Sequence, residues 1–115
     1  MTVLCYDKCS TCRKALKWLD AQGAEYRLRP IREENPDTEE LREWQRRSGL
    51  PLRRFFNTSG ILYRELGLKD RLDAMSEEEQ LALLASDGML VKRPLLVTEA
   101  AVIPGFREKD WAALL

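Results

Sequence analysis

The chain has 115 residues, and its 44% hydrophobic and 33% charged residues are typical of a globular protein with one modest core. Nineteen basic residues balance nineteen acidic ones, so bulk electrostatic attraction to nucleic acid or to an anionic membrane is not expected. The absence of histidine excludes hydrolases built on a Ser-His or Cys-His pair and every metal site with histidine ligands.

The sequence also bears on location and on thiol chemistry. No apolar run approaches the roughly 20 residues of a membrane-spanning helix, and MTVLCYDK lacks the long apolar stretch of a secretory signal. We therefore expect a cytoplasmic protein with no direct contact to membrane or nucleic acid. The three cysteines, Cys5, Cys9 and Cys12, are odd in number and clustered, unlike a disulfide framework. A thiol is thus the most reactive side chain that the sequence offers.

The first part of the chain predicts a β-α-β unit. Residues 2–6, TVLCY, are short, apolar and rich in strand-forming residues. An apolar stripe at helical spacing then runs from Cys12 to Leu19, and Gly23 follows it as an expected helix end. Residues 24–31 alternate as a second strand does. Because a crossover helix joins the two strands, we expect them to be parallel.

The middle of the chain predicts short helices, and its end predicts a return to strands. Two short β-prone runs, 95–99 and 101–105, follow each other like a hairpin, and REKDWAALL closes the chain as an amphipathic helix. The expected α/β domain therefore spans residues 1–115 in the order β-α-β, helical insertion over about 37–90, then β-β-α. Three helix starts within the insertion carry candidate caps, namely Asp37 with Glu40, Thr58 or Ser59, and Ser76 with Glu79.

The CSTC motif of residues 9–12 falls where the first strand gives way to the first helix. Cys9 is expected at the helix N-terminus, where free backbone N–H groups and the helix dipole stabilise a thiolate. Lys8 and Arg13 are close enough in sequence to add positive charge. Cys12 lies one turn further along, on the buried face. The spacing predicts Cys9 as the attacking thiol and Cys12 as the shielded resolving thiol.

Three interpretations of the cysteine pair are open from the residues alone. A single CxxC supplies two zinc ligands where four are usual, and Cys5 would add only a third. Two inert buried cysteines are a second interpretation, because free cysteine is commonly buried. A redox pair is favoured, since a strand, a CxxC and a helix opening a β-α-β unit form a specific context. Cys5, inside the strand, is predicted to belong to the core.

Arg93 and Pro94 stand directly before a predicted strand. A proline in this place could take the cis form and set its neighbour beside the active thiol, although most X–Pro bonds are trans. Arg93 could bind an oxyanion or hold the Cys9 thiolate by charge. A solvated surface arginine is the ordinary alternative, and the residues alone favour it.

Several segments together resemble one known family. They are YDKCSTCRKALKWL, ENPDTEELREW, SGLPLRRFFNTSGILYREL and DGMLVKRPLLV, followed by GF near the C-terminus. The sequence resembles the arsenate reductase / Spx (ArsC-like) family of thioredoxin-fold proteins over essentially its whole length. The similarity is greatest to the small bacterial branch that includes Spx and MgsR. The resemblance implies a thioredoxin-like fold with a helical insertion, in agreement with the predicted element order.

The resemblance also implies roles for individual residues. Cys9 matches the family's catalytic cysteine, and Cys12 completes the CxxC that Spx-type proteins use as a thiol–disulfide switch. Arg93 matches the oxyanion-binding arginine of the Arg-Pro motif, and Pro94 matches the family's cis proline. We therefore assign Cys9, Cys12 and Arg93 to catalysis and Pro94 to substrate positioning. Arg13 is also assigned to substrate positioning, because it is close to Cys9 in sequence. No bound cofactor is expected; a thiol such as glutathione or thioredoxin is the expected electron donor.

This chain also departs from the family's arsenate reductases. Where one further arginine of those enzymes is expected, the sequence has Asn57, with Arg53 and Arg54 nearby but out of register. Arg107 lies close to the place of another, and the arsenate enzymes lack a cysteine at the position of Cys12. The resemblance leaves three functions: a thiol–disulfide oxidoreductase acting on a disulfide or oxidised substrate, an Spx-like regulator binding the RNA polymerase α subunit, and, less favoured, an arsenate reductase.

Overall fold

The computed structural model describes residues 1–115 and contains four strands and six α-helices. The longest helix, α1, has 12 residues, and none of the helices has the length and apolar character needed to cross a membrane. The strands are β1 (Thr2–Cys5), β2 (Arg27–Pro30), β3 (Leu95–Val97) and β4 (Val102–Pro104). The helices are α1 (Ser10–Ala21), α2 (Thr38–Ser48), α3 (Ile61–Glu65), α4 (Leu68–Arg71), α5 (Glu77–Ser86) and α6 (Glu108–Ala112), with 3₁₀ turns at Leu52–Phe55, Leu72–Ala74 and Gly88–Leu90.

The strands form one mixed sheet in the order β2-β1-β3-β4. β1 and β2 run parallel, as a crossover through α1 requires, while β3 is antiparallel to both β1 and β4. The hairpin expected near the C-terminus is therefore present. The order β-α-β, helical segments, β-β-α confirms the architecture predicted from the sequence.

The sheet separates two hydrophobic cores, because alternate residues of a strand face opposite sides. In β1, Leu4 packs into a core shared with the helical segments, whereas Val3 and Cys5 pack on the side of α1. We call the latter the α1-side core; it consists of Val3, Cys5, Cys12, Ala15, Leu19, Leu96 and Trp111. Two of the three cysteines are thus buried between the sheet and α1.

Two of the three predicted helix caps are present. Asp37 accepts the backbone N–H of Glu40 at 2.8 Å, and Ser76 accepts that of Glu79 at 3.1 Å, each in a reciprocal capping box. The third prediction was wrong. Helix α3 begins after Gly60, and no side chain caps its first turn. Thr58 and Ser59 lie outside it, and the Ser59 hydroxyl is instead 3.4 Å from the side-chain amide of Asn57.

The predicted strands were too long at their ends. Residues 24–26 are not part of β2, because the turn that ends α1 uses them: the Ala24 N–H donates to the Leu19 carbonyl at 3.1 Å. β3 ends at Val97, since the Thr98 side chain and backbone bond to Ala101 and close the hairpin. Local hydrogen bonds therefore override the apolar alternation at both places.

Gly88 lies where the helical segments return to the sheet. A Cβ at this position would stand 1.9 Å from the Ile31 carbonyl oxygen and 3.0 Å from the Asn35 Cβ. Asn35 fixes the same junction by donating from Nδ2 to the Ala85 carbonyl at 2.8 Å. This close backbone approach sets the path of residues 88–93, which lead to Arg93.

We expect Gly88→Ala to lower the free energy of unfolding by about 3 kcal/mol, because backbone must move to admit the methyl group. Urea unfolding followed by circular dichroism measures this loss. Gly23→Ala is the matched control: nothing lies within 4 Å of its Cβ, but its φ of 69° gives a cost of about 1 kcal/mol. Equal losses in the two variants would contradict the proposed backbone contact.

Candidate active site

Cys9 occupies the N-cap of α1, as the sequence predicted. Its backbone is extended, its N–H donates to the Tyr6 carbonyl at 3.0 Å, and its carbonyl accepts the Arg13 N–H at 3.1 Å. No side chain caps the helix, and its first turn has no acidic residue. The partly exposed Cys9 thiol is therefore adjacent to the positive end of a 12-residue helix.

Cys12 lies one helical turn below Cys9 and is 1% exposed. Its thiol lies close enough to those of Cys5 and Cys9 and to the Tyr6 backbone for each of them to affect its pKa. These interactions, chiefly the Cys5 hydrogen bond, and the charge of Arg93 hold the Cys12 pKa below the ordinary thiol value despite burial. The Cys5 pKa is raised, first by its bond to Cys12 and then by burial. Of the two buried thiols, Cys5 and Cys12, the thiol of Cys12 is therefore the one that ionises.

The main difference between the Cys9 and Cys12 thiols is their accessibility to solvent. Cys12 is stabilised as a thiolate but is only 1% exposed, so a disulfide in solution reaches it far less readily than it reaches Cys9. Cys9 is partly exposed and touches Cys12. The arrangement suits attack on an external group by Cys9, followed by attack on Cys9 by Cys12 from inside the protein.

Arg93 is held in place by the segment that precedes β3. Phe56 and Val91 form an isolated β-bridge, and the Lys92 N–H donates to the Phe55 carbonyl at 2.7 Å. The Arg93–Pro94 peptide bond is cis, as the resemblance implied. Pro94 is buried, and its carbonyl accepts the Gly105 N–H at 2.8 Å, which ties this bond to the end of β4.

The Arg93 guanidinium has three contacts. Nη1 donates to the Met89 carbonyl at 3.0 Å, and the guanidinium carbon lies 5.3 Å from the centroid of the Tyr6 ring. With its amide oxygen facing Arg93, the buried Asn57 accepts from Nη1 and Nη2 at 3.2 Å each. Nε is buried without a partner, so its N–H is not committed to any hydrogen bond.

Cys9 and Arg93 line the same cavity, which has a volume of about 740 Å³. We call it the Cys9 cavity. Three further cationic side chains line it, those of Arg54, Lys92 and Arg107. Its lining contains no acidic residue. The thiol therefore opens into a space whose charge favours anionic groups.

Arg13 lies elsewhere. Its Nε donates to the Asp7 carbonyl at 2.9 Å, and it lines a second cavity of about 420 Å³ together with Cys5 and Cys12. We call this the Cys5 cavity; Tyr6 is the one residue that it shares with the Cys9 cavity. The structure thus brings Cys9, Cys12 and Arg93 together but places Arg13 away from Arg93.

Sequence reasoning missed several parts of this site. Asn57 was noted only as a departure from the family's arginine, whereas it holds Arg93. Arg54 was considered out of register, yet it lines the Cys9 cavity with Lys92. The participation of Cys5 was also missed. Its position at the end of β1, facing the start of α1, was the available signal.

Comparison with known proteins agrees with the geometry. The model of the ArsC family matches residues 4–114, which is nearly the whole chain. The chain belongs to the ArsC family. Among the proteins similar to it is the uncharacterized protein YusI of Bacillus subtilis, 53% identical over 97% of this chain and 98% of YusI.

Other relatives of this ArsC-family protein connect it to a known structure and to regulators. The crystal structure of an ArsC family related protein from Bacteroides fragilis is 53% identical, with a TM-score of 0.97 over 99% of this chain and 96% of that one. The fold is accordingly thioredoxin-like. The global transcriptional regulator Spx 2 of Oceanobacillus iheyensis is 31% identical over 96% of this chain and 81% of the regulator.

Proposed function

We propose that this ArsC-family protein is a cytoplasmic thiol–disulfide oxidoreductase, with Cys9 as nucleophile and Cys12 as resolving thiol. The observation that carries the proposal is the position of Cys9: an uncapped helix N-terminus, inside a basic cavity, in contact with the stabilised thiol of Cys12. Arg93 would attract an anionic substrate and support the negative charge on the thiols.

The proposed reaction proceeds in two exchanges. The Cys9 thiolate attacks one sulfur of a substrate disulfide, forms a mixed disulfide and releases the other sulfur as a thiolate, which takes a proton from solvent. The Cys12 thiolate then attacks the Cys9 sulfur and releases the second substrate thiolate. The substrate gains two electrons, and the protein is left with a Cys9–Cys12 disulfide. A thiol donor such as glutathione or thioredoxin would return it to the dithiol.

The experiment that tests this function is reduction of bis(2-hydroxyethyl) disulfide by the purified protein. Glutathione with its reductase, or thioredoxin with its reductase, is supplied, and NADPH consumption is followed. We expect turnover with at least one donor, and release of about two equivalents of substrate thiol per protein, one from each exchange, when no donor is present. Absence of release from the fully reduced protein would contradict the proposal.

Arg93→Gln should slow attack on an anionic disulfide more than attack on a neutral one. We expect about a tenfold loss with dithionitrobenzoate and about a twofold loss with bis(2-hydroxyethyl) disulfide, because the variant removes a cation from the Cys9 cavity. The first-exchange rate is measured by stopped flow at low salt.

Arg32→Gln is the matched control for this experiment. Arg32 is exposed and lines neither of the two described cavities, yet its replacement changes the net charge equally. The control should react with both disulfides at the wild-type rate. If Arg93→Gln and Arg32→Gln behaved alike, Arg93 would have no specific part in attracting the substrate.

A redox-switched regulator that binds the RNA polymerase α subunit is a second candidate. The 31% identity to Spx 2 favours it, and the same Cys9–Cys12 disulfide would be the switch. Immobilised polymerase α subunit should then retain the oxidised protein and the reduced protein to different extents. Cys12→Ser, which cannot form this disulfide, should behave as the reduced form under both conditions. If neither the oxidised nor the reduced form bound the α subunit, this candidate would be removed.

Arsenate reduction is favoured by the basic lining of the Cys9 cavity, to which Arg54, Lys92 and Arg107 add positive charge. An oxyanion would bind near Arg93 and be attacked by Cys9. Arsenate added to the coupled NADPH assay tests this directly. No arsenate-dependent rate with glutathione or with thioredoxin would remove arsenate reduction while leaving disulfide exchange intact.

A further inference from the structure

Cys5 is a nucleophilic group that the two-cysteine reaction does not use. It is the last residue of β1, is 4% exposed and belongs to the α1-side core with Cys12. The Cys5 and Cys12 thiols lie close enough to shift each other's pKa, and Cys9 packs against the same core. Cys12 therefore stands between two thiols, one on the substrate side and one inside the protein.

The Cys5 and Cys12 side chains also share a cavity from which Cys9 is absent. The Cys5 cavity has a volume of about 420 Å³, and Leu16, Leu28 and Pro30 form its apolar wall. Leu28 is 50% exposed, so the wall continues to the protein surface. A reductant could reach these two buried sulfurs here without passing through the Cys9 cavity.

We propose that Cys5 is a third redox residue and that a Cys5–Cys12 disulfide, lining the Cys5 cavity, is the stored oxidised form of the protein. This inference rests on the proposed thiol–disulfide function, because the Cys9–Cys12 disulfide is its precursor. It assigns Cys9 to substrate attack and the Cys5–Cys12 pair to re-reduction on another face of the molecule.

The exchange requires no additional oxidant. The Cys5 sulfur attacks the Cys12 sulfur of the Cys9–Cys12 disulfide, so a Cys5–Cys12 bond forms as the Cys9–Cys12 bond breaks. The proton lost by the Cys5 thiol goes to the departing Cys9 thiolate. The number of electrons on the protein is unchanged, since one disulfide replaces another, and Cys9 becomes a free thiol again.

Two physical effects favour this direction. Cys9 departs as a thiolate at the N-terminus of α1, where its charge is stabilised, and a stabilised thiolate is a good leaving group. Hydrogen bonding to Cys12 is the largest cause that raises the Cys5 pKa in the reduced protein. That cause is lost once Cys12 is in a disulfide, so Cys5 deprotonates more readily at the stage where it must attack.

Disulfide mapping after oxidation tests the inference. The reduced protein is oxidised with bis(2-hydroxyethyl) disulfide, alkylated with iodoacetamide while folded, then unfolded in acid and treated with N-ethylmaleimide. Trypsin cleaves after Lys8 and Arg13, which gives MTVLCYDK with Cys5 and CSTCR with Cys9 and Cys12. We expect the two peptides joined by Cys5–Cys12 as the major species, with Cys9 carrying the iodoacetamide label.

Each other outcome is distinguishable. A disulfide within CSTCR, with maleimide on Cys5, would overturn the inference and leave the proposed function standing. No disulfide in either peptide would overturn both the inference and the proposed function.

Two variants serve as controls. Cys5→Ala should form no disulfide between the two peptides and should retain the disulfide within CSTCR, whereas Cys9→Ser should form no disulfide between the two peptides with this oxidant. A linked pair formed equally quickly in Cys9→Ser would show that Cys9 is not its source. If a variant fails to fold, disulfide mapping of the wild-type protein alone still decides between these outcomes.

Discussion

Cys9→Ser is expected to reduce the rate of disulfide reduction by about 1,000-fold or more, to the background of the reductant alone. A serine hydroxyl at the N-cap of α1 remains protonated at neutral pH, and it cannot form a mixed disulfide. Cys12 cannot replace Cys9, because it is 1% exposed. The measurement is single-turnover thiol release from bis(2-hydroxyethyl) disulfide by the fully reduced protein.

Cys12→Ser is the matched control for that loss. This variant keeps the exposed Cys9 thiol and removes the resolving Cys12 thiol. One half of the substrate should therefore remain bound to Cys9 as a mixed disulfide, which mass spectrometry of the intact protein would detect. Cys9→Ser should trap nothing. If Cys9→Ser reacted as quickly as the wild type, or if Cys12→Ser carried the adduct at a residue other than Cys9, the assignment of the nucleophile would be wrong.

Cys5→Ala is expected to slow the resolving step at pH 7 by about 2- to 10-fold, because the Cys12 pKa of about 6 would rise to about 7–8. The variant removes the hydrogen bond that contributes most to the lowered pKa of Cys12. A hydrogen bond to a charged group contributes about 1.5–3 kcal/mol, and one pKa unit corresponds to about 1.4 kcal/mol. The Cys12 pKa should therefore rise by about one to two units, and less thiolate is present at pH 7.

The pH dependence of the resolving rate shows in which direction the Cys12 pKa has moved. In the wild type, resolution should stay fast as the pH falls below the ordinary thiol range, and it should slow only as the pH passes the lowered Cys12 pKa. In Cys5→Ala the midpoint should move upward, so that the two proteins converge at high pH.

Cys5→Ser provides the control for the pH profile, because its hydroxyl can still donate to the Cys12 thiolate. Its midpoint should remain near that of the wild type. Single-turnover resolution of a mixed disulfide preformed at Cys9 measures each profile by quenched flow. Identical profiles for the wild type and Cys5→Ala would contradict a role for Cys5 in stabilising Cys12.

The sequence predicted those features that local chemistry determines. The capping boxes at Asp37 and Ser76 formed because their partners lie three residues along the same helix. The place of Cys9 followed from the change of hydrophobic period after TVLCY. The order of the elements followed from the same signals together with the family resemblance.

The parts of the site that depend on distant contacts could not be predicted in this way. Arg54 and Lys92 are separated by nearly forty positions, and only the bridge between Phe56 and Val91 brings their segments together. Asn57 acts through Arg93, which no local pattern reveals. Arg13 follows Cys12 directly, yet helix geometry turns it toward the Cys5 cavity rather than the Cys9 cavity. Closeness to Cys9 in sequence therefore did not predict which cationic side chains line the Cys9 cavity.

The most direct test of the central claim is the alkylation rate of each cysteine in the reduced, folded protein at neutral pH. Iodoacetamide is quenched at intervals, and tryptic peptides 1–8 and 9–13 are fragmented to separate the three thiols. We predict that Cys9 reacts fastest, and faster than the cysteine of an unstructured peptide, with the enclosed Cys5 and Cys12 much slower. Equal, slow rates at all three cysteines would contradict Cys9 as the nucleophile.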